Sequence, residues 1–465
     1  MAATSVSYAY RYPFESAVME SVSAPAMRLA TSPDGTSDDL FFDGALKQPA
    51  LVGKCLTVLS SIVRTRFYQP LDPMLLDPVV TSGGGMLRFE GFSSCCGVYA
   101  RVDLAPEAFD TDLRGKGTTN VDFNDAMRTA LRRLSDNDDA QLQVGGEGVT
   151  LRTDSDRVVE RKVKLPVRWI KGFCEVQAYQ PRMTVHFELD QNDVRTLFRA
   201  FPKGSNAKRP VHITRTGRTM RLASRPQRGS VQLEGADRVR VLEPLIPYTK
   251  QLNIWYDEDA GTSGWELQFG IGRMFTLVSP ELNRGFSGEG QMLSRLATGQ
   301  WQTALPAVTD SLNWQSHIDI SQLSRSSRAG EAEIEAALAV LGARGLVGFD
   351  VATGKYFHRV LPFDMDRVET QQPRLVAARK LIDADGVKLF EQTPDGPNYQ
   401  VAGTDVEHFI RLRHDGDRCT CQWFNRYQGQ RGPCKHILAA RIVNDGEDSD
   451  IIRSAAIDDP TTQQT

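Results

Sequence analysis

No stretch of this chain approaches the ~18 consecutive apolar residues needed to cross a bilayer, so a membrane-spanning role is not expected. The first residues, Met1 to Phe14, lack a basic segment followed by an apolar run, so no secretory signal is read there. The expectation is a cytoplasmic protein without a membrane partner. Charge of one sign is also missing. The net charge is −3, so any affinity for nucleic acid has to reside in local patches. Catalytic signatures are absent too. The seven histidines are scattered, and no phosphate loop, nucleophile elbow or HExxH pattern appears. Gly285-Phe286-Ser287-Gly288-Glu289-Gly290 lacks the Lys-Ser/Thr that a phosphate loop needs. The expectation is a protein that is not an enzyme.

Cysteine is sparse and unevenly placed. There are seven, an odd number, and three of them fall between Cys419 and Cys434. That distribution suits a reduced compartment and one metal site better than a disulfide framework. Cys95 and Cys96 read as neighbours on a strand, pointing to opposite faces and acting as small buried hydrophobes.

What is present is enough apolar residue for several cores in 465 residues. Residues 1–300 read as an α+β region in two parts, about 1–170 and 171–300. Within it a unit of helix plus strands recurs about four times. Leu46 to Phe67 is the first helix, followed by strands at Met86–Phe92 and Gly97–Leu104. Asn124–Leu134 is the second, with strands at Gln141–Val144 and Val149–Arg152 around a Gly-Gly-Glu-Gly turn. Asp193–Phe201 is the third, after a strand at Thr184–Leu189, with strands at Val211–Thr214 and Met220–Ala223 around Gly217. A looser fourth has a strand Ser230–Leu233, a helix Arg238–Ile246, then strands Leu252–Tyr256 and Glu266–Phe269. Asp122 with Asp125, and Asp190 with Asp193, sit where helix caps are needed. Sliding clamps are built from such units, two per domain, and the order here is similar.

From about Ser311 the texture changes. A short helix Ile318–Ser324, a strong helix Glu331–Leu341 closed by Gly345, and a hairpin over Ala352-Thr353-Gly354 give a winged-helix-like order, placed at residues 307–365. The leading turn of the second helix carries Glu331, Glu333 and Glu335, which would repel phosphates. A protein-docking module is the preferred reading of it. Residues 370–443 form a last module with strands at Val387–Gln392, Tyr399–Val401 and Val406–Arg413. The acidic end, 444–465, reads as a disordered tail.

The last module carries the clearest chemistry. Cys419-Thr420-Cys421 is separated by twelve residues from Cys434-Lys435-His436. Three thiolates and one imidazole fill the tetrahedral shell that Zn2+ prefers, at Zn–S distances near ~2.3 Å. Four protein donors leave no open position, so the expected site is structural and holds one zinc per chain. His408 and His414 read as a strand residue and a loop residue, not as ligands.

The Cys-x-Cys, Cys-x-His pattern, its flanking strands and Cys434-Lys435-His436-Ile437-Leu438-Ala439 resemble the SWIM zinc finger. The resemblance extends along the chain. Asp77-Pro78-Val79-Val80-Thr81-Ser82, Phe92-Ser93-Ser94-Cys95-Cys96-Gly97-Val98-Tyr99-Ala100, Gly117-Thr118-Thr119-Asn120-Val121, Arg284 to Gly290 and Phe357-His358-Arg359 look like bacterial SWIM zinc finger family proteins. Such proteins are commonly paired with a MoxR-type AAA+ ATPase and a von Willebrand factor A protein. The resemblance implies an adaptor that docks those partners, and SWIM fingers are assigned DNA-binding roles as well as protein-binding ones.

Two places could contact a partner or nucleic acid. In the finger, Trp423, Phe424 and Tyr427 interleave with Arg426, Arg431 and Lys435. They could equally pack beneath the zinc site. Between Val194 and Leu233 there is no acidic residue, and the segment holds Arg195, Arg199, Arg215, Arg218, Arg221, Arg225 and Arg228. It reads either as a stripe for phosphates or as a solvated strand surface.

Overall fold

The computed structural model describes residues 17–19, 26–28, 40–67, 78–111, 115–163, 165, 167–217, 219–286, 301–361, 373–404, 406–413, 416–429 and 431–444. Residues Met1–Leu40 form one unit, in which Ala17–Met19 pairs antiparallel with Ala26–Arg28. Everything from Phe41 onward forms the other.

The second unit is built on four repeats of one motif, a lead strand, a helical segment and an antiparallel group of strands. The first runs Leu40–Ala45, helix Pro49–Arg64, then Val79–Gly83, Met86–Phe92 and Val98–Leu104. The second runs Gly117–Asn120, helix Asp125–Arg133, then Gln141–Gly145, Gly148–Arg152 and Arg157–Arg161. The third runs Thr184–Asp190, helix Gln191–Ala200, then Val211–Thr216 and Thr219–Ala223. The fourth runs Val231–Leu233, a helical stretch, then Gln251–Asp257, Thr262–Gln268 and Gly272–Val278.

Lead strands are exchanged between neighbouring repeats. Leu40–Ala45 joins the sheet of Gln141–Gly145, while Gly117–Asn120 pairs with Val79–Gly83. The second pair repeats this: Thr184–Asp190 pairs with Gln251–Asp257, and Val231–Leu233 with Val211–Thr216. One antiparallel pairing, Val98–Leu104 against Gly272–Val278, then fuses the two pairs into an eight-stranded sheet.

Helix boundaries follow local chemistry. Asp190 caps Gln191–Ala200 by accepting from the N–H groups of Asn192 and Asp193. On Asp125–Arg133 the capping residue is Asn124, not Asp122, and it accepts from Ala126 and Met127. The fourth helix is shorter than its periodicity suggests. Asp237–Arg240 is α-helical, but Pro244 and Pro247 hold Glu243–Tyr248 in 3-10 form. Helix Val167–Tyr179, which the sequence pattern does not announce, runs across residue 170 and contributes Trp169, Phe173 and Cys174 to the core.

Cys95 and Cys96 lie in a buried turn after Met86–Phe92, and not on a strand. Cys96 has φ of 55°. The turn is clasped by Gly285 and Phe286. A Cβ on Gly285 would stand 2.4 Å from the Cys95 carbonyl oxygen, and the Phe286 N–H donates to the Cys96 carbonyl at 2.7 Å.

Residues from 301 on add helix Leu305–Asp310, helix Ile320–Ser327, helix Glu331–Ala343 and the hairpin of Val347–Asp350 with Lys355–His358. Gly345, at φ of 71°, ends the third helix, as its position predicts. The second half of Glu331–Ala343 is buried from Ala337 to Ala343, and the helix packs on Val167–Tyr179. The exposed residues of this helix are confined to its acidic start, at Glu331, Ala332 and Glu335.

The hairpin completes a buried ionic centre on the sheet. Asp103 accepts from Arg273 Nε at 2.9 Å, and it forms ion pairs with Arg101 Nε at 2.9 Å and with Arg88 at 3.5 Å. Asp350 pairs with Arg101 and Arg273, and Arg359 pairs with Glu90, which also accepts from the Tyr99 hydroxyl at 2.6 Å. Burial alone would raise the Asp103 carboxyl, but Arg101, Arg88 and Arg273 outweigh it and hold that group well below the usual range.

Candidate metal centre

The C-terminal module has little core of its own. Its sheet runs Val387–Thr393, Gly396–Ala402, Glu407–Arg411 and Arg418–Cys419, all antiparallel. Against one face lies helix Lys435–Asn444, backed by helix Pro373–Asp383. Tyr399, Val401, Ile410 and Leu412 pack there with Ile437, Ala440 and the three cysteines. Leu375, Ala378, Leu438, Ala439 and Ile442 add a second small cluster between the helices. Two such clusters still make a thin core, and a metal is the usual remedy in small modules.

Each ligand sits where backbone geometry fixes its direction. Cys419 ends the last strand, and Cys421 is the N-cap of helix Gln422–Tyr427. Cys434 directly precedes helix Lys435–Asn444, and His436 is that helix's second residue. The helix begins at the ligand pair itself, so its first turn sets the direction of the His436 side chain.

The donor atoms of Cys419, Cys421, Cys434 and His436 all lie within 4.8 Å of one another, and all four residues are buried. His436 turns Nδ1 toward Cys419 Sγ at 3.9 Å. Ligands ~2.3 Å from a central ion at tetrahedral corners stand ~3.8 Å apart, so the cluster fits zinc. The sulfur atoms also accept backbone hydrogen bonds: Cys419 from Cys421 N–H at 3.4 Å, Cys421 from Phe424 N–H at 3.4 Å, and Cys434 from Ile437 N–H at 3.5 Å. Such donors stabilise thiolate charge and orient the ligands. Hydrogen bonds among the three thiols push Cys419 up and hold Cys421 down. A divalent ion reverses that logic and takes all three as thiolates.

The remaining cysteines are unlike these. Burial pushes Cys55, Cys96 and Cys174 up to about 12, which suits inert core thiols. Among the described residues, no other group of three or more His, Cys, Asp or Glu side chains converges as a metal site. His408 lies on strand Glu407–Arg411, with its ring 4.3 Å from that of His436, and is outside the ligand set. His414 lies outside the described residues.

The aromatic residues between the ligand pairs form a cluster. Trp423 and Phe424 are half-buried against the finger core, and the Trp423 and Tyr427 rings stand 4.5 Å apart. The Arg431 guanidinium lies over Tyr427 at 4.3 Å and clasps the Glu281 carboxylate at 2.8 and 3.3 Å. Arg374 reaches the carbonyls of Arg431 and Pro433 and lies over Trp423 at 4.9 Å. Arg426 is exposed and Lys435 half-exposed. Trp423, Phe424 and Arg431 are thus engaged within the chain. Arg374 and Glu281 were not visible as partners in the sequence, since they lie 57 and 150 residues from Arg431.

In the basic segment, Arg215, Arg221, Arg225 and Arg228 are exposed, and Arg218 lies outside the described residues. Arg215 donates to the Glu188 carbonyl at 3.0 Å. Arg195 and Arg199 line a separate cleft with Lys203, Glu243 and Pro247.

Residues 414–441 match the SWIM zinc finger family, so the ligand cluster lies inside a recognised finger. No curated protein matches the chain. Among solved structures, the crystal structure of the PCNA2-PCNA3 complex from Sulfolobus tokodaii is similar at 8% identity and a TM-score of 0.38, over 52% of this chain and 100% of that one. That likeness is too slight to say what this chain does or how it assembles. No helix among the described residues is long and apolar enough to cross a membrane.

Proposed function

We propose that this chain is a zinc-dependent, non-enzymatic adaptor whose finger is held in shape by one structural zinc. The observation that carries this reading is the closed donor set. Cys419, Cys421, Cys434 and His436 are buried with their donor atoms within 4.8 Å of one another, and four such donors would fill the tetrahedral shell of a zinc ion without an open position. The finger is tied to the sheet through Arg431 and Glu281, so a partner gripping the finger would pull on the whole unit.

The partner follows from the resemblance of the Asp77–Ser82, Phe92–Ala100 and Phe357–Arg359 segments to bacterial SWIM proteins. It is a MoxR-type AAA+ ATPase, with a von Willebrand factor A protein as the third member. Affinity capture of the tagged, zinc-loaded chain from its native host tests this. Recovery of the ATPase is expected, and a prey set without it would refute the partnership.

The exposed arginines of the Arg195–Arg228 segment, used together with the finger, favour a second reading, nucleic-acid binding. Titration of Arg221→Gln, Arg225→Gln and Arg228→Gln together against duplex DNA should then lower the salt slope by about 0.9 for each phosphate no longer neutralised. An unchanged slope sinks this reading.

A further inference from the structure

The solvent side of the finger's sheet carries a surface that neither the zinc site nor the aromatic loop explains. Phe390 is 60% exposed and Phe409 45% exposed, and their rings meet edge to face with centroids 5.5 Å apart. Two large aromatic side chains rarely stand together in water without a function. Their pairing is built, not incidental. The ladder between Val387–Thr393 and Gly396–Ala402 slips between Leu389 and Glu391, which leaves Phe390 unpaired in a bulge. The bulge puts Phe390 beside Phe409, two strands away.

The same face carries an electrostatic conflict. Arg411 and Arg418 are directly opposite one another across Glu407–Arg411 and Arg418–Cys419, and both are exposed. Like charges placed so are destabilising. Arg411 lies two residues along from Phe409, on the same side of the strand and roughly 7 Å away. Lys388 joins the face through its pairing with Gln400, which in turn pairs with Phe409. The acids on this side, Glu391 and Glu407, accept hydrogen bonds from the side chains of Asn398 and Gln400. An anion between Arg411 and Arg418 would relieve their repulsion, while the neighbouring rings offer flat apolar faces. A phosphate linked to a planar base supplies both.

We propose that this sheet face binds single-stranded nucleic acid, with bases stacking on Phe390 and Phe409 and the backbone phosphate held between Arg411 and Arg418. Aromatic platforms combined with cations on an open sheet suit single strands, because every base has a π-face and no groove is required. The proposal rests on the nucleic-acid reading and deepens it by naming the surface and a single-stranded ligand, and it stands or falls separately from the adaptor reading.

The test is fluorescence anisotropy of the full, zinc-loaded chain with labelled oligothymidylate and oligouridylate, at several salt concentrations. Comparing the two oligonucleotides distinguishes DNA from RNA. Phe390→Ala and Phe409→Ala should each weaken binding about tenfold with little change in salt slope. Arg411→Gln with Arg418→Gln should flatten the slope by about 0.7 for each phosphate left without its arginine. Unchanged zinc content and circular dichroism show that a variant is folded. Phe390→Tyr and Phe409→Tyr, which keep the ring faces, should retain affinity. The proposal is overturned if the wild-type chain binds neither oligonucleotide at low salt, or if the alanine variants bind as it does. It is equally overturned if they lose only a co-purifying protein.

Discussion

Arg101 Nη2 lies 3.2 Å from Asp350 Oδ1, and the two residues, 249 positions apart in the chain, are both shut off from solvent. Arg101 also donates to the Phe349 carbonyl at 2.7 Å. The hairpin is therefore pinned to the centre of the eight-stranded sheet by charge as well as by packing.

Asp350→Ala removes the acid that separates Arg101 from Arg273. Breaking one partner of a buried pair leaves the others uncompensated, and costs about 3–5 kcal/mol. Chemical denaturation should show the midpoint fall by a corresponding amount. A loss below about 1 kcal/mol, the range of an exposed pair, would mean that the centre contributes little.

Acid should weaken the fold in two separate windows. Burial, with a smaller effect from Lys116, lowers the His358 imidazole to about 4. Its Nδ1 accepts from the Trp314 N–H at 2.7 Å, a bond that needs an unprotonated nitrogen. The unfolded chain takes up this proton near pH ~6.5 and the folded chain does not, so stability falls as pH drops from ~6.5 towards 4, by up to about 3 kcal/mol. His358→Gln should flatten that window in pH-dependent thermal melts. The second window belongs to Asp103, whose folded pKa is depressed. Its contribution is complete above ~4 and is lost as pH falls below that.

Cys421→Ser should lower zinc content and melt the module around helix Lys435–Asn444 while the sheet keeps its structure. A chelator should do the same to the wild-type chain. Elemental analysis together with circular dichroism reads both effects. A folded module without metal would overturn the structural assignment of the site.

Arg431→Ala should loosen the finger without releasing its metal. The Glu281 pair is partly exposed, at 26% and 42% for the two side chains, so its loss costs only about 1 kcal/mol. Limited proteolysis should then cut faster between the sheet and the finger, at unchanged zinc stoichiometry. Equal cleavage rates would show that Arg374 and the packing alone hold the joint.

The zinc site was legible because its ligands are rare residue types gathered within eighteen positions. The four repeats were legible because each alternates a helical period with a strand period. Cys95 and Cys96 were misplaced because their burial in a turn depends on Gly285, far along the chain. The ionic centre was invisible for the same reason. Arg88, Glu90, Arg101 and Asp103 look like the solvent side of alternating strands until a distant hairpin covers them. Phe390 misleads in the opposite sense. It is an exposed aromatic residue on a strand, at a bulge that no local sequence pattern announces.

The fusion of Val98–Leu104 with Gly272–Val278 has a consequence for synthesis. Arg273 follows Asp103 by 170 residues, so one edge of the earlier strand leaves the ribosome long before its partner exists. At ordinary elongation rates that interval is roughly ten to thirty seconds. Throughout it, the nascent chain presents an unpaired β edge bearing Arg101 and Asp103. The growing polypeptide is most exposed to chaperones, and to its own neighbours on a polysome, during that wait.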